Sequence, residues 1–247
     1  MPKISGADIA AWSNPSQTVQ TTLSGAIEAF HVFGPRFRFI KTLPLGCSLL
    51  DVGAGDGSLM ILRDWPQPAR TDIEMFAWAG ERRKGFDRYA ASEIGWWPTE
   101  PPKFGGMQFD AILSANFIEH IEDPLAFVRW ASTRLTARGR IYLEWPHPQS
   151  IHLPSTNELA AAGVTVMVGA YHDDMTHQRA PPDAEDVASV LRDSGHVIVE
   201  RGFVRVPFFD RQLAIHARRV PDTVSMTLAY WSYTGWCQYL VSETARD

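Results

Sequence analysis

The hydrophobic positions between residues 47 and 219 form short apolar runs that alternate with helix-length amphipathic segments. Such alternation is typical of a parallel sheet wrapped by helices. The run at 47–53 is almost continuously apolar, which predicts a first strand buried on both faces. A short helix is predicted over 58–65, where Pro66 and Pro68 stop it.

The same pattern predicts six more strands, at 73–79, 88–92, 109–115, 140–146, 196–204 and 211–219. A helix is expected to begin at Asp123-Pro124, because Asp caps a helix and Pro is favoured in its first turn, and to end near Gly139. Another helix is expected over 183–193. The predicted fold is therefore α/β and Rossmann-like, with a seven-stranded, mostly parallel sheet and helices on both faces.

Two flanking segments complete the chain, a helical arm up to about residue 45 and an aromatic tail after residue 219. Neither has the composition of a separate domain. For the tail, a dimer contact or core packing is at least as good an interpretation as a lid over a site. We therefore keep a homodimer among the expected partners.

Composition and charge narrow the class of protein. The formal net charge is −5, which argues against a general nucleic-acid binder that needs clustered Lys and Arg. The two cysteines are far apart and form no metal or disulfide pattern, and no apolar stretch reaches the roughly 20 residues of a membrane span. With no signal-peptide pattern at the start, we expect a cytoplasmic protein without a membrane partner.

The loop after the first strand carries three glycines in the sequence DVGAGDG, from Asp51 to Gly57. A dinucleotide fingerprint needs G-x-G-x-x-G, and a phosphate loop needs Gly-Lys-Ser/Thr; neither is present. Asp51 and Asp56 would repel a pyrophosphate but suit a ligand with a cationic end. A tight turn without a ligand is the alternative for a lone glycine cluster.

At this loop the chain resembles the class I S-adenosylmethionine-dependent methyltransferases, whose first motif is D/E-x-G-x-G-x-G. The segment 109–146 is similar to a second block of the small-molecule branch, with Glu119-His120, then Asp123-Pro124, a helix and a Gly-Arg pair before the next strand. The resemblance covers about residues 46–219. It implies one methyltransferase domain over 1–247, with an arm at 1–45, a cofactor-binding core at 46–219, an extension at 220–247 and an antiparallel last strand.

The resemblance also implies where S-adenosylmethionine, or the product S-adenosylhomocysteine, would bind. The ribose acid is Glu81, which closes an apolar run, with Asp72 as the alternative at a common family spacing. Glu93 would meet the adenine amine, and Ile94 would pack on its ring. The remaining implied cofactor residues are Asp51, Gly53, Ala54, Gly55 and Gly57 in the loop and Ser114, Asn116 and Phe117 after the fourth strand.

Chemistry at the acceptor is less constrained by the sequence. His120 is a candidate general base because imidazole titrates near neutrality, although it could equally hold the turn or pack on the cofactor. His147 is a weaker candidate. The His and Asp residues of 172–177 favour a solvated loop or substrate contact, so we expect no metal. Tryptophans are abundant, nine in all, and either wall an acceptor site or fill the core; the candidates for a wall are Trp96, Trp97, Trp145, Trp231 and Trp236.

The leading hypothesis is an enzyme that transfers a methyl group to an oxygen or nitrogen of a small molecule, such as a natural product, a sugar or a quinone-like compound. The alternatives are a non-catalytic scaffold of the same fold and an NAD-linked oxidoreductase. The missing third glycine disfavours the oxidoreductase. The identity of the acceptor is not encoded in any motif that we find.

Overall fold

The structure is a computed structural model, and it describes residues 4–245 of the chain. The chain forms two compact units, each with its own hydrophobic core. We call one the helical unit; it comprises residues 4–35, Pro146–His177 and Phe203–Gln238. The other, the sheet unit, comprises Arg36–Trp145, Gln178–Gly202 and residues 239–245.

A seven-stranded sheet has the order β3-β2-β1-β4-β5-β7-β6. The β1–β2, β1–β4, β2–β3 and β4–β5 pairs are all parallel. The strands are β1 (Ser48–Val52), β2 (Glu74–Ala79), β3 (Ala91–Ile94), β4 (Phe109–Ala115), β5 (Leu135–Pro146), β6 (His196–Phe203) and β7 (Cys237–Thr244).

The last strand, β7, runs antiparallel to β6. The backbone N–H of Val204 donates to the carbonyl of Cys237, and that of Ala245 donates to the carbonyl of Gly195. Residue numbers thus rise along one strand as they fall along the other, which defines an antiparallel pair. The predicted fold class, including its antiparallel last strand, is confirmed.

Nine α-helices accompany the strands within residues 4–245. They are α1 (Gly6–Trp12), α2 (Leu23–Val32), α3 (Pro35–Lys41), α4 (Leu59–Asp64), α5 (Pro124–Thr133), α6 (Thr156–Ala161), α7 (Ala184–Asp193), α8 (Phe209–Arg219) and α9 (Thr223–Thr234). The predicted start of α5 is confirmed, since the Asp123 carboxylate accepts a hydrogen bond from the backbone N–H of Ala126 at 2.8 Å.

The core of the sheet unit explains why β1 is apolar throughout. All five of its residues are buried, as the sequence predicts. On one face, Leu50 and Val52 pack in a cluster with side chains of α5 and α7, including Phe127 and Leu191. On the opposite face of the sheet, the Phe39 ring of α3 lies 5.4 Å from the Tyr142 ring of β5. Helices therefore cover both faces.

Two sequence predictions were wrong. Residues 211–219, predicted as the seventh strand, belong to α8, whose six buried side chains include positions 210, 213, 214 and 217 at helical spacing. The seventh strand lies instead in the tail, at Cys237–Thr244. Gly139 does not end α5, which stops at Thr133; it lies in β5, where a side chain would approach the Leu135 Cβ to 2.6 Å.

The helical unit is built around Tyr230, Trp236, Leu213 and Phe30, all of which are buried. Leu213 and Tyr230 belong to α8 and α9, whose amphipathic and apolar surfaces supply much of this core. Within residues 4–245, every helix is too short or too polar to cross a membrane.

Candidate active site

The glycine loop leaves β1 and turns beneath the end of β2. The backbone N–H groups of Gly53 and Ala54 both donate to the carbonyl of Trp78, at 2.9 and 3.1 Å. Gly55 has a φ of +53°, and a Cβ there would meet nothing closer than 3.9 Å. The loop is therefore anchored to the sheet on one side and presents bare backbone to open space at Gly55.

The other two glycines allow close backbone packing. A Cβ on Gly53 would lie 2.7 Å from the Cβ of Phe117, which follows β4. A Cβ on Gly57 would lie 3.1 Å from the backbone of Gly85, and a Cβ on Gly85 would lie 2.3 Å from the carbonyl oxygen of Asp56. The segment between β2 and β3 therefore braces the loop, a contact that the sequence prediction missed.

Asp51 is a buried acid at the carboxyl end of β1. Its side chain is buried, and the Tyr89 hydroxyl donates to its Oδ2 at 2.6 Å. Burial raises the pKa of Asp51 to about 7, while the Tyr89 hydrogen bond and the charge of Arg36 partly oppose this rise. The site thus holds a carboxyl group that is poised to ionise when a cation approaches.

Tyr89 and Arg36 were not among the predicted site residues. Tyr89 reaches Asp51 because the connection from β2 to β3 contains only a short 3₁₀ turn, Lys84–Arg88. The shortness of this connection is the sequence signal that could have directed attention to it. Arg36 lies in the predicted N-terminal arm and carried no motif.

The end of β4 brings two predicted residues beside the loop's strand. Ser114 pairs in register with Val52, and its Oγ is buried without a hydrogen-bond partner among residues 4–245. Asn116 has a φ of +52°, and its backbone N–H donates to the Glu144 carbonyl at 2.9 Å. A buried, unsatisfied hydroxyl at a strand's carboxyl end is a polar group that a ligand could complete.

The two candidates for the ribose acid lie at opposite ends of β2. Glu81 follows the carboxyl end, is exposed, and forms an ion pair with Arg83. Asp72 precedes the amino end, where Arg70 and the backbone N–H of Gly46 donate to it. These contacts hold the pKa of the Asp72 carboxyl well below its usual range. Ligands of open α/β sheets bind at carboxyl ends, which favours Glu81.

Glu93 has an additional structural role. Both of its carboxylate oxygens accept backbone hydrogen bonds at 2.7 Å, one from Lys103 and one from Phe104. It therefore fixes the segment before β4, and an adenine amine would have to share these oxygens. Ile94, next along β3, is 45% exposed and can offer its side chain to a ring.

The two candidate bases fall in different units. His120, in the sheet unit, lies in a 3₁₀ turn (Ile118–His120) after β4, with a side chain that is 29% exposed and a ring Nε2 3.9 Å from Glu119 Oε1. His147, in the helical unit, accepts a hydrogen bond from the backbone N–H of Gln149 at Nδ1 and contacts the Phe203 ring. His147 therefore already has a local role in the turn that follows β5.

Glu144, at the end of β5, is a buried acid that the sequence prediction passed over. Arg36 donates to both of its oxygens, at 3.1 and 2.5 Å, and the Tyr142 hydroxyl donates at 2.5 Å. This bidentate pair satisfies the carboxylate and ties α3 to the strand. Arg36 pairs with Glu144, and its charge also acts on Asp51.

Most predicted wall tryptophans fill cores instead. Trp145 and Trp236 are 0% and 2% exposed. Trp231 stacks on Trp236, and Trp97 packs against Phe127. Of the five, only Trp96 is largely exposed. In the 172–177 loop, Asp173 accepts four hydrogen bonds from Thr156, Gly169 and Ala170, which makes it a structural residue.

Comparison with known proteins identifies the family. A family model described as a methyltransferase domain matches residues 29–201, about 70% of the chain. The chain therefore belongs to this family of methyltransferases and is a class I S-adenosylmethionine-dependent enzyme. Membership of this family argues against both alternatives, a non-catalytic scaffold and an NAD-linked oxidoreductase. No curated protein matches the chain.

Solved structures share the fold at low identity. The Haloferax volcanii complex between the Trm112 methyltransferase activator and a methyltransferase has a TM-score of 0.53 and 16% identity, with 97% of this chain and 98% of that chain covered. Mycolic acid cyclopropane synthase CmaA1, solved with S-adenosylhomocysteine, has a TM-score of 0.55 and 14% identity over 96% and 94%. Cyclopropane synthase MmaA2 from Mycobacterium tuberculosis has a TM-score of 0.53 and 14% identity over 91% and 99%.

The residues of the sheet unit fit S-adenosylmethionine. Gly55 provides a backbone surface with room beside it, Asp51 provides a buried carboxyl for a cationic group, and the Ser114 hydroxyl lacks a partner within the described chain. An anionic pyrophosphate would meet two acids instead, which is why the chemistry of this loop favours a cationic cofactor.

Proposed function

We propose that this enzyme methylates an oxygen or nitrogen atom of a small molecule and that His120 is its general base. The observation that carries the proposal is a partly exposed imidazole in the turn directly after β4, at the carboxyl edge of the sheet that also presents the glycine loop. An imidazole at such a place can take a proton from a bound acceptor.

The buried Glu119 carboxylate lies beside His120, with its Oε1 3.9 Å from the ring Nε2. When bound, S-adenosylmethionine supplies a methyl group already activated by a sulfonium. The chain therefore has to align the acceptor, exclude water and remove one proton.

For the cofactor, we propose that Asp51 and Gly53 to Gly57 hold the methionine part and that Glu81 accepts hydrogen bonds from the ribose. Ser114, Asn116 and Phe117 form the neighbouring wall, and Glu93 and Ile94 lie where the adenine binds. A net charge of −5 supports a small acceptor over a nucleic acid, and a cytoplasmic location remains part of the proposal.

The test is methyl transfer from cofactor labelled with tritium in the methyl group, using a cell extract separated into small metabolites and retained macromolecules. We expect label in the small-metabolite fraction. With the acceptor purified from it, His120→Gln should lower kcat by about 10²–10⁴. The affinity for S-adenosylhomocysteine should stay unchanged.

His172→Gln is the matched control, because His172 is an exposed histidine of the helical unit, and it should retain full turnover. His147→Gln should have the smaller effect of the two candidate bases. Label confined to protein or RNA would overturn the small-molecule acceptor. A His120→Gln enzyme with normal turnover at every pH would overturn the assignment of the base.

A further inference from the structure

An exposed tryptophan lies at the carboxyl edge of the sheet unit, just after the end of β3. Trp96 is 67% exposed, although its indole is large and apolar. The far edge of its six-membered ring rests on Gly80, the residue that follows β2, and a Cβ on Gly80 would lie 3.0 Å from the ring Cη2. The glycine at position 80 therefore makes room for the ring.

The backbone around Trp96 is held in place within the same unit. The Trp96 carbonyl accepts hydrogen bonds from the backbone N–H of Glu100 at 2.8 Å and from the Thr99 hydroxyl at 3.0 Å. The N–H of Gly95 donates to the Ala79 carbonyl at 3.1 Å, which continues the pairing of β2 and β3. A side chain that is anchored in this way loses little entropy when a ligand contacts it.

The neighbours of the ring belong to the proposed cofactor site. Glu81, the proposed ribose acid, directly follows Gly80, and Ile94, which is 45% exposed, lies two residues before Trp96. An indole face beside an aliphatic side chain suits a planar aromatic ligand. Stacking of this kind tolerates changes in the substituents of a base, because every base has a face to stack with.

The Glu93 carboxylate is already used by a nest of backbone N–H groups. Lys103 has right-handed helical backbone angles and Phe104 has a φ of +39°, an alternation that turns successive N–H groups towards one point. Glu93 occupies that point, since its two oxygens accept from these two N–H groups at 2.7 Å each. A carboxylate held in this way fixes the β3–β4 connection and is not aimed at a base amine.

We propose that this enzyme holds the adenine of its cofactor by stacking on Trp96 and does not recognise the exocyclic amine through Glu93. The inference rests on the cofactor placement in the proposed function and adds the base specificity of that site. A purine without the amine should then bind nearly as well as adenine. Loss of the whole base should weaken binding.

Three ligands that share the ribose and the homocysteine test this specificity. They are S-adenosylhomocysteine, its 6-deamino analogue with hydrogen in place of the amine, and S-ribosylhomocysteine, which has no base. In calorimetric titrations of the full chain, we expect the first two affinities to agree within about threefold and the third to be at least about tenfold weaker. A deamino analogue that binds about tenfold more weakly than S-adenosylhomocysteine would overturn the proposal.

Trp96→Ser removes the stacking surface. It should weaken binding of the two ligands that carry a base about tenfold and leave S-ribosylhomocysteine unchanged, whereas Trp96→Phe keeps a ring and should recover most of the affinity. Val199→Ser is the matched control, since Val199 is 47% exposed in β6, at the other end of the strand order. An S-adenosylhomocysteine affinity that is the same in Trp96→Ser and Val199→Ser would refute the role of the tryptophan.

Glu93→Gln tests the other half of the proposal. Glutamine leaves one of the two N–H groups of the nest without its acceptor, so urea unfolding should show a lower stability. The ratio between the affinities for S-adenosylhomocysteine and its deamino analogue should stay the same as in the unaltered protein. A ratio that changes in Glu93→Gln would show that Glu93 does recognise the amine.

Glu81→Gln separates a failure of this inference from a failure of the proposed function. All three ligands keep the ribose, so this variant should weaken all of them alike. If it does so and Trp96→Ser changes nothing, the stacking assignment is wrong and the proposed cofactor site stands. If S-adenosylhomocysteine does not bind the unaltered protein, the proposed function itself is wrong.

Discussion

The two edges of the sheet in the sheet unit differ in how far their aspartates are hydrogen-bonded. At the amino edge, Asp110 accepts hydrogen bonds from the Ser48 backbone N–H, the Ser48 hydroxyl and the Thr136 hydroxyl, at 3.0 to 3.1 Å. Asp72 accepts from Arg70 and Gly46 at the same edge. Both carboxylates therefore already accept several hydrogen bonds from within the protein.

At the carboxyl edge, two buried polar side chains form fewer hydrogen bonds than they could. Among residues 4–245, Asp51 is buried with a single hydrogen-bond donor, Tyr89, and the Ser114 hydroxyl has no partner. A buried polar group without a partner costs about 1–3 kcal/mol, so its presence calls for a reason. Acids with several hydrogen-bond donors stabilise the fold. An acid with a single donor can still accept hydrogen bonds from a ligand.

Glu144 shows that position alone does not decide this. It lies near the carboxyl end of β5, yet Arg36 and Tyr142 occupy both of its oxygens. The useful distinction is therefore between polar groups that have hydrogen-bond partners and those that lack them, and paired substitutions at the two edges test it.

The largest contrast is expected between Gly55→Ala and Gly46→Ala. Both glycines have positive φ and open space where a Cβ would lie, so each variant should lose about 1–2 kcal/mol of unfolding free energy. Only the Gly55 methyl would enter the proposed cofactor site, and overpacking of about 1–3 kcal/mol corresponds to up to about a hundredfold weaker S-adenosylhomocysteine binding. Calorimetry and urea unfolding measure both quantities. Equal affinities in the two variants would show that Gly55 does not face the cofactor.

The next contrast is Asp51→Asn against Asp110→Asn. The first should weaken S-adenosylhomocysteine binding about tenfold, because a carboxylate opposite a cation is lost. The second should leave that affinity alone and lower the free energy of unfolding by about 1–3 kcal/mol, since three hydrogen bonds lose their best acceptor. Calorimetric titration and urea unfolding of both variants check this, and a weaker affinity in Asp110→Asn would contradict it.

The pH dependence of Asp51 sharpens this contrast. Its raised pKa stabilises the folded protein fully below the ordinary pKa of an aspartate, and this contribution is lost as the pH rises through about 7. Asp51→Asn should flatten the pH profile of the unfolding free energy in that range. In the unaltered protein, S-adenosylhomocysteine should bind more tightly above about pH 7 than below it, and Tyr89→Phe should move that midpoint upward. An affinity that does not change with pH would show that Asp51 does not bind the cofactor.

The smallest contrast concerns the two acids that flank β2. Glu81→Gln should weaken S-adenosylhomocysteine binding a few-fold, by about 1 kcal/mol for hydrogen bonds at an exposed site. Asp72→Asn should not change the affinity, and should reduce stability at neutral pH relative to acid, where the depressed pKa of Asp72 contributes nothing. Titration of both variants decides between them; loss of binding in Asp72→Asn alone would reverse the assignment.

The sheet was predictable because its pattern is local. Strand β4 and the capped start of α5 follow from runs and caps a few residues long. Segment 211–219 was misread because Leu213, Ile215 and Ala217 alternate within a short window, and the helical spacing becomes clear only when Asp210 is recognised as buried. Tertiary burial, which one sequence does not display, decided the outcome there.

Candidate site residues could be predicted only where a motif marks them. The glycine loop and the residues after β4 carry one. Tyr89 contacts Asp51 across 38 positions of the chain, and Arg36 contacts Glu144 across 108. A local sequence pattern cannot predict contacts between residues so far apart. Glu93 shows the converse, a motif position whose oxygens are already used by backbone N–H groups.

The close approach of Gly85 to Asp56 and Gly57 has a practical consequence for anyone who re-engineers this enzyme. The connection between β2 and β3 is an attractive place to randomise, since it is short and largely exposed. Any side chain at Gly85 would displace the neighbouring loop by way of its backbone. A mutant library should therefore leave Gly85 untouched, together with Glu81 and Tyr89, whose replacement is expected to change S-adenosylhomocysteine binding.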